Sequence, residues 1–248
     1  MNQVLLITGG GRGIGAATAL LAARQGHAVA VNYTQNSLAA DDIVRTVREH
    51  GGRAIAVQAD VADEAQVVRM FKQIDAKLGP LTGLVNNAGV VDVPSRVDDM
   101  SFERLRRMFD INVLGSFLCA REAVRRMRND QGGTGGAIVN VSSAAARLGS
   151  PGQYVDYAAS KGAIDTFTLG LAKEVAPQGI RVNAVRPGLI HTDIHASGGL
   201  PDRVAHLAHE VPMKRGGSSH EVAQAIVWLL SDASSYVTGS IVDVSGGR

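Results

Sequence analysis

Cysteine is almost absent: Cys119 stands alone in 248 residues, so no internal disulfide can staple the chain. Set in the apolar stretch SFLCA, it is expected to be a buried packing residue. Aromatic residues make up 4% of the sequence, too few for a base-stacking surface, and a net charge of +2 supplies no strong cationic field. Nucleic acid is therefore excluded as a partner. No uncharged apolar run approaches the ~18 residues of a membrane span, and no basic leader precedes the strand-like run at Val4. Long charge blocks and Ser/Gly linkers are missing too, which excludes a disordered or divided chain. One domain over residues 1–248, cytoplasmic and without a membrane partner, is expected.

What is present is alternation. β-Branched runs fall at 4–8, 28–32, 54–58, 81–87, 136–143, 180–187 and 240–244, and helix-length segments lie between them. Val67, Met70, Phe71, Ile74 and Leu78 recur at the three- and four-residue spacing of a buried helix face. Asp63 and Ser101 suit N-caps, Gly79-Pro80 stops one helix, and Gly179 follows the helix that begins near Tyr154. The predicted fold is α/β: a Rossmann-type doubly wound, mostly parallel seven-stranded sheet with helices on both faces. The strands are apolar throughout, as burial of both sheet faces requires. The segment 191–214 breaks the rhythm after the sixth strand, where open α/β sheets place ligands, and is expected to be a substrate lid.

The 29 glycines concentrate at 9–15, 132–136 and 246–247. In the first cluster, Gly9, Gly13, Ile14 and Gly15 follow a strand and open a helix, with Arg12 inside the loop. Glycine lets the backbone turn tightly against a pyrophosphate whose charge meets the helix N-terminus. Lys-Ser/Thr does not follow, so the loop is not a P-loop. Where an NAD site carries an acid at the end of the second strand, this chain has Asn32, Tyr33 and Thr34, and the next acid is Asp41. Without a carboxylate to repel a 2′-phosphate, and with Arg12 to attract one, NADP(H) is the preferred cofactor and NAD(H) a possible one.

Tyr157 and Lys161, four apart in YAASK, fall on one helix face. A free phenol with a pKa near ~10 is a poor base, and an adjacent ammonium is expected to draw it downward. Tyr157 can then exchange the proton of a carbonyl/alcohol pair while a nicotinamide carries the hydride.

TGGGRGIG (8–15), NNAG (86–89), Asn112, VNVSS (139–143), YAASK (157–161) and PGLIHT (187–192) occur in order. Together they resemble the short-chain dehydrogenase/reductase family, from Val4 to Gly247, and within it the branch of glucose 1-dehydrogenases and 3-oxoacyl-carrier-protein reductases. The resemblance implies that Tyr157 is the general acid/base and that Lys161 lowers its pKa and binds the nicotinamide ribose. It implies that Ser143 bonds the substrate oxygen and that Asn112 holds a water linking Lys161 to solvent. Asp60 and Val61 would meet the adenine, and Asn87, Ala88 and Gly89 would line the ribose. Pro187, Gly188, Ile190 and Thr192 would seat the nicotinamide. The last segment (235–247) resembles the strand through which family members pair, implying a homo-oligomer, a tetramer or a dimer. Ser143 and Tyr157 are 14 positions apart, one more than the family's usual spacing, which leaves Ser142 as a rival hydroxyl.

His191, His195, His206 and His209 gather in the lid without cysteine or acid support for a metal; no metal site is expected, and His191 or His195 is read as a substrate contact. Arg147, Gln153, Tyr154 and Asp156 flank the Ser–Tyr segment and are candidates for shaping the pocket. Arg125, Arg126 and Arg128 are candidates for docking an acyl carrier, while the lid (Asp193, Asp202, Glu210 with Arg203, Lys214, Arg215) is mixed in sign. The expected partner is a small carbonyl or alcohol substrate. A non-catalytic dinucleotide sensor on the same fold is the alternative.

Overall fold

The computed structural model describes residues 3–248, with the side chain of His195 outside the described part. In chain order the elements are β1 (Val4–Ile7), α1 (Gly13–Arg24), β2 (Ala28–Tyr33), α2 (Ser37–Glu49), β3 (Ala54–Gln58), α3 (Glu64–Leu78) and β4 (Gly83–Asn86). There follow α4 (Phe102–Phe109), α5 (Gly115–Met127), β5 (Gly136–Val141), α6 (Ala145–Leu148), α7 (Val155–Val175) and β6 (Ile180–Pro187). The last third holds β7 (Ile190–His191), α8 (Ile194–Ser197), α9 (Arg203–Leu207), β8 (Gly217–Ser218), α10 (Ser219–Leu230) and β9 (Ile241–Val244).

Seven strands pair in the order β3-β2-β1-β4-β5-β6-β9, every pair parallel. The two-residue period of a strand divides its side chains between two cores. Val4 and Leu6 join Phe71, Ile74, Cys119 and Ala172 on the face covered by α3, α5 and α7. Leu5 and Ile7 join Ala19, Val44 and Ile226 under α1, α2 and α10. The strands are mainly apolar on both sides because helices cover both sides. Cys119 is fully buried, as expected, and burial pushes its thiol up to about 12, so it is inert.

The anticipated caps are present: the Asp63 side chain accepts from the Gln66 amide and the Ser101 side chain from the Arg104 amide. The expected strands at 4–8, 81–87 and 136–143 are shorter in the structure, ending at Ile7, Asn86 and Val141. Thr8, Asn87, Ser142 and Ser143 leave the ladder at the carboxyl edge. Thr8 uses its freedom: its hydroxyl accepts from the amides of Asn87 and Ala88, both at 3.0 Å. The chain passes from β3 through α3 to β4 on the other side of β1, and this reversal opens a crevice above the carboxyl ends of β1 and β4.

The segment read as a lid is not a bare loop. It carries α8 and α9, pairs β7 with β8, and packs Leu189, Val204 and Val211 with Leu207 into a small apolar cluster of its own.

Candidate active site

A cavity of about 650 Å³ runs along this crevice. Of the residues singled out from the sequence, Gly9, Arg12, Gly13, Ile14, Asn32, Tyr33, Thr34, Asp60, Val61, Asn87, Ala88 and Gly89 line one part of it. Ser143, Tyr157, Lys161, Pro187, Gly188, Ile190 and Thr192 line the rest.

Gly15 and Asn112 are not among the residues lining the cavity. A Cβ on Gly15 would stand 2.6 Å from the Asn87 side chain and from the Gly9 carbonyl, so glycine is what lets the loop pack against the end of β4. Asn112 is fully buried within a wide π-type turn at 110–114, between α4 and α5. Its amide oxygen accepts from the Val90 N–H (2.8 Å), and its nitrogen donates to the Val90 carbonyl (3.0 Å) and the Ser160 hydroxyl (3.1 Å). It holds the wall in place from behind.

The glycine loop fits a dinucleotide phosphate. Gly9 and Gly13 adopt φ of +60° and +54°, in the left-handed region that side chains avoid, and no side chain caps the N-terminus of α1. Thr192 stands over the loop, 3.3 Å from where a Gly13 Cβ would lie. Asn32 is a contributor that sequence reasoning placed only as a ligand contact. Its oxygen accepts from the Gly9 amide (3.2 Å), and its nitrogen donates to the carbonyls of Ala59 (3.0 Å) and Val57 (3.3 Å). It ties the loop to the end of β3.

Tyr157 and Lys161 sit on one face of α7, with the Lys161 Nζ 5.7 Å from the Tyr157 ring centroid. The Lys161 ammonium donates to the Val141 carbonyl at 2.8 Å, and burial pushes its pKa down to about 8 against a partial pull from Asp165. Tyr157 is half-buried as a residue, but desolvation of its hydroxyl raises the phenol above its ordinary value; the hydrogen bond with Ser143 pulls the other way. Burial outweighs the opposing pull, which comes from the Ser143 hydroxyl. The rival hydroxyl, Ser142, donates to the Lys161 carbonyl and is taken up in holding α7. Between Ser143 and Tyr157, in the stretch after α6, Gly149, Ser150 and Gly152 all have positive φ.

Two supports of Tyr157 have no local signal in the sequence. Arg104 grips the adjacent Asp156 with two nitrogens, at 2.8 and 3.2 Å, both side chains almost wholly buried. The partners lie 52 residues apart, so only the fold brings them together. A buried chain from Asn86 to Asn140 (2.9 Å) to Thr168 (2.9 Å) bolts α7 to β4 and β5.

The flanking candidates separate. Tyr154 lines the cavity, whereas Arg147 pairs with Asp243 (3.3 Å) and the Gln153 carbonyl accepts from the Ser95 amide. His191 lies against Gly216 and is not among the cavity-lining residues, because β7 turns it outward; His206 and His209 are likewise absent from the wall. The side chain of His195 lies outside the described residues.

A family model described as enoyl-(acyl carrier protein) reductase matches residues 9–248. Over 245 residues the chain is 60% identical to the uncharacterized oxidoreductase YgfF of Escherichia coli K12, covering 99% of each. It is 39% identical over 246 residues to a 3-oxoacyl-[acyl-carrier-protein] reductase of Synechocystis, covering 99% of this chain and 96% of the relative. The crystal structure of a short-chain type dehydrogenase/reductase from Mycobacterium marinum aligns with a TM-score of 0.92 at 37% identity, over 99% of this chain and 94% of that one. Fold and sequence agree along the whole length: the chain belongs to the short-chain dehydrogenase/reductase family of NAD(P)(H)-using oxidoreductases.

Proposed function

We propose that the chain interconverts a secondary alcohol and a ketone, or a sugar hemiacetal and a lactone, with NADP(H), and that Tyr157 moves the proton. The observation that carries this reading is the meeting of Ser143, Tyr157 and Lys161 on one cavity wall, with the Lys161 ammonium 5.7 Å from the centroid of the Tyr157 ring. The bound dinucleotide supplies or accepts the hydride. Tyr157 gives its proton to the oxygen of a ketone, or takes it from an alcohol, and Ser143 donates to the same oxygen as charge develops there. Lys161 would hold the ribose hydroxyls of the nicotinamide half, and Gly89 lies beside it, its Cβ position 3.5 Å from Nζ. Asn112 acts as a positioning residue through Val90 and Ser160. The segment 191–214 serves as the lid, joined to the glycine loop by a 3.3 Å hydrogen bond from Arg12 to Ser197.

NADP(H) is the better fit because Arg12 stands exposed at the cavity rim and β2 ends in Asn32-Tyr33, not in an acid. Arg12→Ala is expected to weaken NADPH binding by about tenfold or more, a charge-assisted phosphate contact being worth ~1.5–3 kcal/mol, and to leave NADH nearly unchanged. Titration calorimetry with both cofactors checks this, and equal losses would reject the assignment.

A small free substrate suits the surface better than a carrier-bound one of the kind named for the Synechocystis relative. Arg125 is engaged by Glu122 (2.7 Å), Arg126 by Asp75 (2.8 Å) and Glu122 (2.9 Å), and Arg128 by Asp130 (2.6 Å), so this cluster offers an acidic carrier little free charge. A panel of carbonyls and alcohols, followed at the reduced-nicotinamide absorbance with each cofactor, tests the whole reading. Turnover separates an enzyme from a dinucleotide sensor, and binding without turnover across the panel would reject it.

Self-association follows from what is left uncovered. Phe109, Leu114, Phe117 and Leu169 are exposed around α5 and α7, and Trp228 and Tyr236 are exposed near the edge strand β9. Exposed apolar side chains clustered in this way mark interfaces. Light scattering at micromolar concentration is expected to give a tetramer or dimer; a monomer would contradict the interface.

A further inference from the structure

Four arginines line the cavity: Arg12, Arg107, Arg203 and Arg248. Three have polar partners. Arg12, on the glycine loop, bonds Ser197 (3.3 Å); Arg107 faces Asp92 (3.5 Å); Arg248 faces Glu210 (3.9 Å). The side chain of Arg203, at the start of α9, has neither an ion pair nor a hydrogen bond among the described residues. Its guanidinium carbon instead lies 5.2 Å from the centroid of the Tyr154 ring.

That contact places the guanidinium over the ring. Stacking on an aromatic ring leaves the N–H edges free in the plane of the group, and two parallel N–H bonds match the two oxygens of a carboxylate. The platform is firm: Tyr154 is 6% exposed and precedes α7 by one residue, one helical turn before Tyr157. Arg104, the other cation acting on Tyr154, is held by Asp156 and by the Val93 carbonyl (2.7 Å) and is not available to a ligand. Arg203 is itself half-buried, so a charge pair there is less screened than on open surface. The neighbouring wall is apolar, with Val90, Val91, Leu148, Leu189 and Ile194.

We propose that Arg203 is a specificity-determining residue that binds a carboxylate, so that the substrate is an oxo acid or hydroxy acid with an apolar body between its carboxylate and its reacting carbon. This rests on the reading of the cavity as a ketone/alcohol site, with the reacting oxygen at Tyr157 and the carboxylate at the lid. Nothing in it requires a carrier.

The test is titration calorimetry on the full chain loaded with NADP⁺, which cannot turn over a ketone. The probes are linear oxo acids with the ketone two to five carbons from the carboxylate, each measured beside its methyl ester. For at least one length, the acid is expected to bind wild-type protein tenfold or more tightly than its ester. Arg203→Gln abolishes that ratio and Arg203→Lys restores part of it, since an ammonium keeps the charge but lacks the planar fork. No acid preference at any length, or a ratio unchanged in Arg203→Gln, overturns the proposal. Displacement of the bound acid by inorganic phosphate at lower concentration than by acetate overturns the choice of carboxylate. The same acids are then offered with NADPH: an Arg203-dependent preference without turnover counts against the reductase reading alone, and turnover without preference counts against the carboxylate site alone.

Discussion

Tyr157→Phe is expected to lower kcat by about 10²–10⁴-fold, the usual contribution of a positioned acid/base, while NADPH affinity stays within a few-fold. The variant loses one oxygen from the cavity wall and keeps the ring beside Lys161, so the binding surface changes little. The phenol's environment also sets the pH dependence. With burial holding Tyr157 above its ordinary value, the phenol is neutral through the physiological range. Ketone reduction, which needs that proton, is expected to have a kcat/KM nearly flat from pH 6 to 8. Alcohol oxidation needs the proton removed first and is expected to rise with pH over 7–9. Stopped-flow or steady-state profiles in both directions check the signs. Near-normal activity in Tyr157→Phe, or oxidation that falls as pH rises, would remove Tyr157 from the chemistry.

Lys161→Met is expected to abolish most turnover and yet to stabilise the protein at neutral pH. Burial takes the Lys161 pKa from 10.5 to about 8, which corresponds to ~3 kcal/mol of cost for holding the charge in the folded state. Below pH 8 the lysine is charged in both folded and unfolded chains, and that cost is fully present. Between pH 8 and 10.5 the folded protein has given up the proton while the unfolded chain keeps it, so wild-type stability rises with pH and the cost fades. Methionine fills the space without charge but leaves the Val141 carbonyl unpaired, a loss of about 1–3 kcal/mol. The balance is a gain of roughly 1 kcal/mol at pH 7, or a rise in Tm of about 2–4 °C for a chain of this size. By pH 10 the ordering is reversed. Thermal unfolding of both proteins across that range is the measurement, and a Tm difference independent of pH would show that Lys161 carries no buried charge. An ammonium that weakens the fold where it stands is retained for what it does in the cavity.

The strand pattern was legible because strands between two helical layers must be apolar on both faces, and the seven runs match the seven strands of the sheet to within a few residues. The small differences have one cause. At the carboxyl edge the chain leaves the ladder to face the crevice, and apolar patterning does not record where hydrogen bonding stops. The helices of 191–214 were missed for a related reason: α8 and α9 span four and five residues, too short for a periodic stripe, and pack on a cluster assembled from distant positions.

What the sequence determined by itself was local. Gly9 and Gly13 permit a turn that other residues resist, Tyr157 and Lys161 share a face because a helix repeats every 3.6 residues, and the lack of an acid after β2 is a matter of composition. Tertiary structure alone decided what depends on partners far along the chain. It set Asn112 and Gly15 behind the wall, gave Asp156 its arginine and raised the Tyr157 phenol by burying it. It also left Arg203 over the Tyr154 ring, its side chain without a polar partner among the described residues. Desolvation and pairing depend on the distances between folded elements, and no spacing along a sequence contains them.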